Sequence, residues 1–283
     1  MKSGILLIDK AKGNTSRAEV NFVSKKLNEK KIGHVGTLDP FADGLLIVLV
    51  NKATKVSQYF ECLDKEYLAK LTLGKKTDTA DLDGNVILEK EIPTLTKEKI
   101  KEVFQSFIGE QEQIPPMYSA IKVNGKELYK YARNGEEIER KARKIHIYSL
   151  DLISFDNNSI TFVARVSKGT YIRTLGEDIA ERLNTVGYLS ELTRTRVGNL
   201  SLDKAHKKEE VNEDNLIDIV SALSFMKKHE VSEEEIKGIS NGMHLKLNEK
   251  DELVLCVYNG EAIAIYSRMN NGYYKCERGL RWK

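Results

Sequence analysis

Leu45-Leu46-Ile47-Val48-Leu49-Val50 is the stretch that most limits what this chain can become. An unbroken aliphatic run of this length reads as a strand covered on both faces, which implies a sheet with layers on each side of it. Directly before it stands Lys31-Ile32-Gly33-His34-Val35-Gly36-Thr37-Leu38-Asp39-Pro40-Phe41-Ala42-Asp43-Gly44. Pro40 biases Asp39 away from helical backbone, so the carboxylate sits on an extended or turning segment. Gly33, Gly36 and Gly44 permit positive φ and close backbone approach around it. Such a loop would present a reactive carboxylate and a histidine from a rigid base. A glycine-rich turn with a capping aspartate accounts for the same residues equally well.

At 283 residues the chain suits one large domain or two, with a sizeable core. Its apolar and charged fractions, 41% and 31%, are those of an ordinary folded protein rather than a disordered one. A net charge of +3 neither requires nor excludes a nucleic-acid partner, because local clustering matters more than the total. Cys62, Cys256 and Cys276 are widely spaced, form no metal pattern and cannot all pair, which reads as a reduced, cytoplasmic protein. No run is long and apolar enough to span a bilayer. Neither a P-loop, a dinucleotide fingerprint nor a zinc spacing is found, so no cofactor and no metal is expected.

Along the chain, Gly4–Asp9 reads as a short strand. Ser16 and Glu19 have the spacing of a capping box, with Val20, Val23 and Leu27 as the buried stripe of the helix that follows. Ala53–Phe60 reads as helix, and Tyr67, Ala69, Leu71 and Leu73 alternate as in a half-buried strand. Gly74–Asn85 is a polar loop whose Asp78, Asp81 and Asp83 lack the closing glutamate of a calcium loop. Thr96–Ile108 is amphipathic, and Pro115-Pro116 interrupts regular structure. Ser119–Val123 and the segment after Asn124-Gly125 read as a hairpin. From Ile121 to His146 basic residues outnumber acidic ones, with Tyr129 and Tyr131 among them; this suits a grip on RNA phosphates, or a merely solvated surface. Ile145–Phe155 and Ile160–Val166 form a second hairpin, and Thr174–Leu183 a helix, placing Arg173 at a strand-to-helix junction. Glu209–Leu223 is acidic, then amphipathic. Beyond about residue 227 the texture changes to short strands around the Asn259-Gly260 turn.

Gly33-His34 through Gly44 resembles the signature of the TruB family of pseudouridine synthases, which act on the T-loop of tRNA. Further blocks resemble the same family in the same order: Asp9–Ser16, Lys65-Glu66-Tyr67 with Leu73–Asp81, Gln113–Lys122, and Ser167–Leu175. Ala11, Asp43, Ile47 and Val166 depart from the family's frequent residues, none at a position with a chemical role.

The resemblance implies an α+β pseudouridine synthase fold: a mixed, largely antiparallel sheet with flanking helices, plus a small C-terminal PUA-like β domain. Residues 1–226 would be catalytic, with an RNA-gripping insertion near 121–146, and residues 227–283 a second RNA-binding unit. It implies isomerisation of uridine to pseudouridine at position 55 of tRNA, with the base flipped out and Asp39 as nucleophile. Tyr67 would stack on the base and is a candidate for a proton step. Arg173 would pair with Asp39 and orient it. His34 would brace the flipped nucleotides, Lys10 would lie close by, and Tyr171 and Leu192 would shape the base pocket. The partner would be the tRNA T-arm, with no membrane and no obligatory protein. The guide-RNA-dependent, dyskerin-like relatives and a non-catalytic tRNA-folding protein are the competing readings.

Overall fold

The computed structural model describes residues 2–280. Its frame is a nine-stranded sheet. Across it, Gly4–Lys10 lies beside Asp43–Val50, then Gly187–Val197, Lys65–Leu73, Ser159–Val166, Arg143–Phe155 and Gly109–Gln113. Ile32–Val35 pairs with Asp43–Val50, and Leu200–Ser201 with Gly187–Val197. All these ladders are antiparallel except one, where Thr193 and Arg194 run parallel to Asp43 and Gly44. The Asp39 loop enters the sheet at that seam. Leu45–Val50 is buried on both faces, as an unalternating run requires. Leu46 and Val48 face one core cluster, Leu45 and Ile47 the other.

Helices Ser16–Leu27, Lys97–Phe107 and Ile172–Arg182 flank the sheet. The first is capped by Thr15, whose side chain accepts from the Ala18 amide, not by Ser16 as the spacing suggested. Ser16 is buried one position inside the helix, and Glu19 is buried against Lys208 at 3.0 Å. The capping box fails because both partners are recruited by distant segments. Thr96 caps the second helix, and Ile100, Val103, Phe104 and Phe107 fill its core face. Arg173 falls in the first turn of the third.

Between Gln113 and Arg143 regular structure is sparse. The expected hairpin shrinks to Lys122–Val123 and Lys126–Glu127 around Asn124-Gly125, both at positive φ, followed by the short helix Leu128–Ala132. In residues 209–223 the regular structure is a 3-10 turn at Glu213–Asn215 and a short helix at Ile219–Ala222. Ile217 bridges to Ile5, and its carbonyl accepts from the Ile5 amide at 2.8 Å.

The C-terminal part is a four-stranded sheet of Lys227–Glu230, Leu253–Tyr258, Glu261–Arg268 and Tyr274–Gly279, with the helix Glu233–Ser240. Ser232 and Glu235 form a reciprocal capping box there. Leu255, Val257 and Ile265 share a core cluster with Ile5, Leu7 and Ile47 of the large sheet, so apolar packing continues across the join. No helix among the described residues is long and apolar enough to cross a membrane.

Candidate active site

The Asp39 loop is built inside out. Leu38, Phe41 and Ala42 are buried in the core, while the Asp39 side chain keeps 36% of its surface exposed. Burial of its neighbours sets the loop's depth, and three polar side chains fix its path. Ser16 Oγ donates to the Leu38 carbonyl at 3.0 Å and accepts from the Leu38 amide at 2.9 Å. Lys10 Nζ, fully buried, lies under the turn and donates to the carbonyls of Ala42, Pro40 and Ala11. Arg194 ties both ends of the loop: Nε donates to the Leu45 carbonyl and Nη2 to that of Gly36, each at 2.8 Å. Gly44 must lack a side chain, because a Cβ there would stand 2.5 Å from the Arg194 carbonyl oxygen.

Arg173 holds the carboxylate from the other side. It is 3% exposed, and its Nε lies 2.9 Å from Asp39 Oδ2. Nη1 donates to the Thr79 carbonyl at 2.8 Å and Nη2 to the Tyr118 carbonyl at 2.6 Å. Asp81 Oδ2 stands 3.6 Å from Nη1. A guanidinium satisfied on every side is a fixed fork, not a swinging charge. Asp81 also accepts from the Thr79 hydroxyl and the Asp83 amide. Burial pushes its carboxyl above the usual carboxylate range. Asp78 and Asp81 thus spend their carboxylates on the loop's own turns and on Arg173.

A cavity of about 320 Å³ opens over Asp39. Tyr67, Tyr171, Arg173, Leu192, Lys65 and Arg194 line it. Tyr67 projects from Lys65–Leu73 directly across from Arg194, and Leu192, 5% exposed, closes the apolar wall. The backbone of Tyr171 is gripped by Gln113, whose amide accepts from Tyr171 N at 2.8 Å and donates to its carbonyl at 3.1 Å. Burial raises the Tyr171 phenol above its ordinary value. A wider hollow of about 440 Å³ lies between Phe107, Gln113, Leu175 and Asp178. It gathers carboxylates, and burial pushes that of Asp178 up to about 6, so it does not suit an anionic ligand.

Asp39, Tyr67, Tyr171, Arg173 and Leu192 therefore share one cavity. Lys10 and His34 are not among its lining residues. Lys10 is sealed beneath the loop. His34 sits half-buried on the Ile32–Val35 edge with Nδ1 unpartnered. Burial, then Arg194 and Arg17, lower its pKa and favour the neutral ring. Ser16, Lys65, Asp81, Gln113 and Arg194 had been given no part in the site by sequence reasoning. All but Arg194 lie inside the sequence blocks that carried the resemblance, which was the available signal.

A cavity that combines aromatic and aliphatic walls with one carboxylate clamped by arginine is suited to holding a planar base beside an acid. The architecture matches Cbf5 in a solved Cbf5-Nop10-Gar1 complex, with a TM-score of 0.76 and 23% identity over 98% of this chain and 85% of that one. At that identity the match shows the fold. Residues 24–172 match the family model described as TruB family pseudouridylate synthase (N terminal domain). A tRNA pseudouridine synthase B of Mesoplasma florum is 40% identical over 280 residues, 98% of each chain. One of Hydrogenovibrio crunogenus is 43% identical over 259 residues, 90% of this chain and 86% of its own. The chain belongs to the TruB family of pseudouridylate synthases, and it is an isomerase of that class.

Proposed function

We infer that the chain isomerises uridine to pseudouridine in tRNA, at position 55 of the T-loop, with Asp39 as the nucleophile. The observation that carries this reading is the Asp39–Arg173 pair, at 2.9 Å, facing a cavity walled by Tyr67, Tyr171 and Leu192. The reaction breaks the bond between C1′ and N1, turns the base, and joins C5 to C1′. N1 gains a proton and C5 loses one. A held carboxylate serves such a centre as it does in glycoside cleavage. The target base is extruded at a cost of a few kcal/mol, and Tyr67 stacks on it once it enters. Lys10 and His34 act from outside the cavity: Lys10 by bracing the loop, His34 by packing against the displaced nucleotides at the loop's flank. Residues 1–226 form the catalytic unit, while the 121–146 insertion and residues 227–283 grip the T-arm. The relatives named tRNA pseudouridine synthase B cover nearly the full chain, which supports tRNA as the substrate; on this reading the enzyme acts alone in the cytoplasm, without a guide RNA or protein partners.

The test is a T-arm stem-loop carrying tritium at C5 of the target uridine. Wild type releases tritium to water, and Asp39→Asn slows release at least about a thousandfold, as loss of a nucleophile does. Binding without release by the wild type would sink the stand-alone reading. Equal release by both proteins would remove Asp39 from the chemistry.

A further inference from the structure

Two buried cations in the Asp39 cavity make no ion pair among the described residues, although Asp39 and Glu61 share its lining. Lys65 and Arg194 are 8% and 1% exposed, and both line the cavity. They lie on one face of the sheet. Arg194 is directly opposite Tyr67 in the ladder, and Lys65 is two residues before Tyr67 on the same strand. Among the described residues, no carboxylate comes within ion-pair distance of either. Asp64, the residue before Lys65, is engaged by Arg165 at 3.3 Å. Glu61 lends Lys65 only its carbonyl, at 2.6 Å, as does Leu63.

The donor inventory leaves something over. A guanidinium has five N–H groups. Arg194 uses Nε and one bond from Nη2 on the loop carbonyls, and Nη1 makes no hydrogen bond among the described residues. The Lys65 ammonium has three donors and two carbonyl partners. Arg173, by contrast, is balanced by Asp39 and Asp81. Charge buried without compensation is costly, and it is retained where a ligand supplies the opposite sign. Burial, then the neighbouring Arg194, pull the Lys65 ammonium down to about 8, against the opposing pull of Asp64 and Glu61.

We propose that Lys65 and Arg194 form an anion subsite on the floor of the Asp39 cavity, which receives a phosphodiester oxygen flanking the extruded uridine. This rests on the RNA-modifying reading above and adds to it the group that seats the flipped nucleotide. Arg194 also couples the two tasks. The guanidinium that meets the phosphate ties Gly36 to Leu45, so the phosphate would be registered against the Asp39 loop itself.

The experiment uses the full chain and three T-arm stem-loops. One is unmodified, and the others carry a neutral methylphosphonate at the linkage 5′ or 3′ of the target uridine. Affinity is read by filter binding and turnover by tritium release. Wild type should lose about tenfold in affinity for one of the two neutral linkages, the effect of one charge-assisted contact. Lys65→Met should bind the unmodified loop about tenfold more weakly and be indifferent to that same linkage. Equal wild-type binding to all three loops overturns the subsite, and so does a neutral linkage that weakens wild type and Lys65→Met alike. Failure of wild type to release tritium from the unmodified loop would instead strike the catalytic reading, while the binding comparison still judges the subsite.

Discussion

The Asp39 loop and the segment from Ile114 to Lys141 are both irregular, and they are built on opposite plans. In the loop, buried side chains from Ser16, Lys10 and Arg194 take up main-chain groups, and Leu38, Phe41 and Ala42 anchor in the core. In that segment, Leu128 and Ser119 are among the few buried side chains. Its polar contacts are surface pairs such as Lys130–Glu127 at 2.8 Å and Lys126–Glu136 at 3.8 Å. Lys126 also lies over the Tyr131 ring at 4.2 Å. Exposed pairs of this kind contribute about 0–1 kcal/mol each. Chemistry at a carboxylate needs fixed geometry, which buried and satisfied polar groups supply. A grip on a flexible polyanion needs charge and adaptability, which a loosely packed basic surface supplies.

One substitution made in both places separates the plans most widely. Gly44→Ala puts a Cβ against the Arg194 backbone at 2.5 Å, at φ +96°. Overpacking and backbone strain together should cost about 3 kcal/mol or more, with loss of tritium release. Gly125→Ala meets nothing within 4 Å and only a left-handed backbone, φ +79°. It should cost about 1 kcal/mol and leave kcat unchanged. Urea unfolding and single-turnover rates on the two variants decide it, and equal costs would mean that the loop is no more constrained than the insertion.

Ser16→Ala probes the loop without a clash. It leaves the Leu38 amide and carbonyl buried without their Oγ partner. The expected cost is about 1–3 kcal/mol of stability. Because Leu38 adjoins Asp39, kcat should fall more than KM rises. A pure stability loss, with kcat intact in the folded fraction, would show that the carboxylate is held by Arg173 alone.

Lys10 gives a pH signature. Burial lowers its pKa to about 8 from 10.5. Between those values the unfolded chain binds more protons than the folded one, so stability rises with pH. The burial penalty is fully present below about 8 and is lifted as pH climbs toward 10.5. Relative to Lys10→Met, wild type should therefore gain on the order of 2 kcal/mol between pH 7.5 and 9.5. A flat difference would mean that Lys10 is not buried as a cation.

How much of this was legible in the sequence follows the same division. The unalternating run at 45–50, the Asp39-Pro40 turn and the hairpin strands ending at Phe155 and Val166 read directly, because period and turn chemistry are local signals. The Asp39–Arg173 pair came from the family resemblance, not from spacing. Ser16 was misread because a capping box is a local pattern, while the actual partner, Leu38, lies 22 residues away. Lys10 was placed near the site by the resemblance alone, since nothing near it in the chain reveals the carbonyls above it. Arg194 was visible only as one basic residue among several. Its place depends on the one parallel ladder between strands of the sheet, which no periodicity announces.

The smallest effect belongs to the insertion and tests the other half of the comparison. Lys126 and Lys130 are partly exposed, pair at the surface with Glu136 and Glu127, and lie over the Tyr131 and Tyr129 rings. Replacing both by Gln removes two charges without opening a cavity, so the melting temperature should move little. If they meet phosphates, KM for the T-arm should rise a few-fold with kcat unchanged. The slope of log affinity against log salt should flatten by roughly one to two, a value set by how many phosphates the two lysines neutralise. A drop in kcat instead would mean that this surface helps position the reacting base, and the division between a rigid chemical loop and an adaptable grip would not hold.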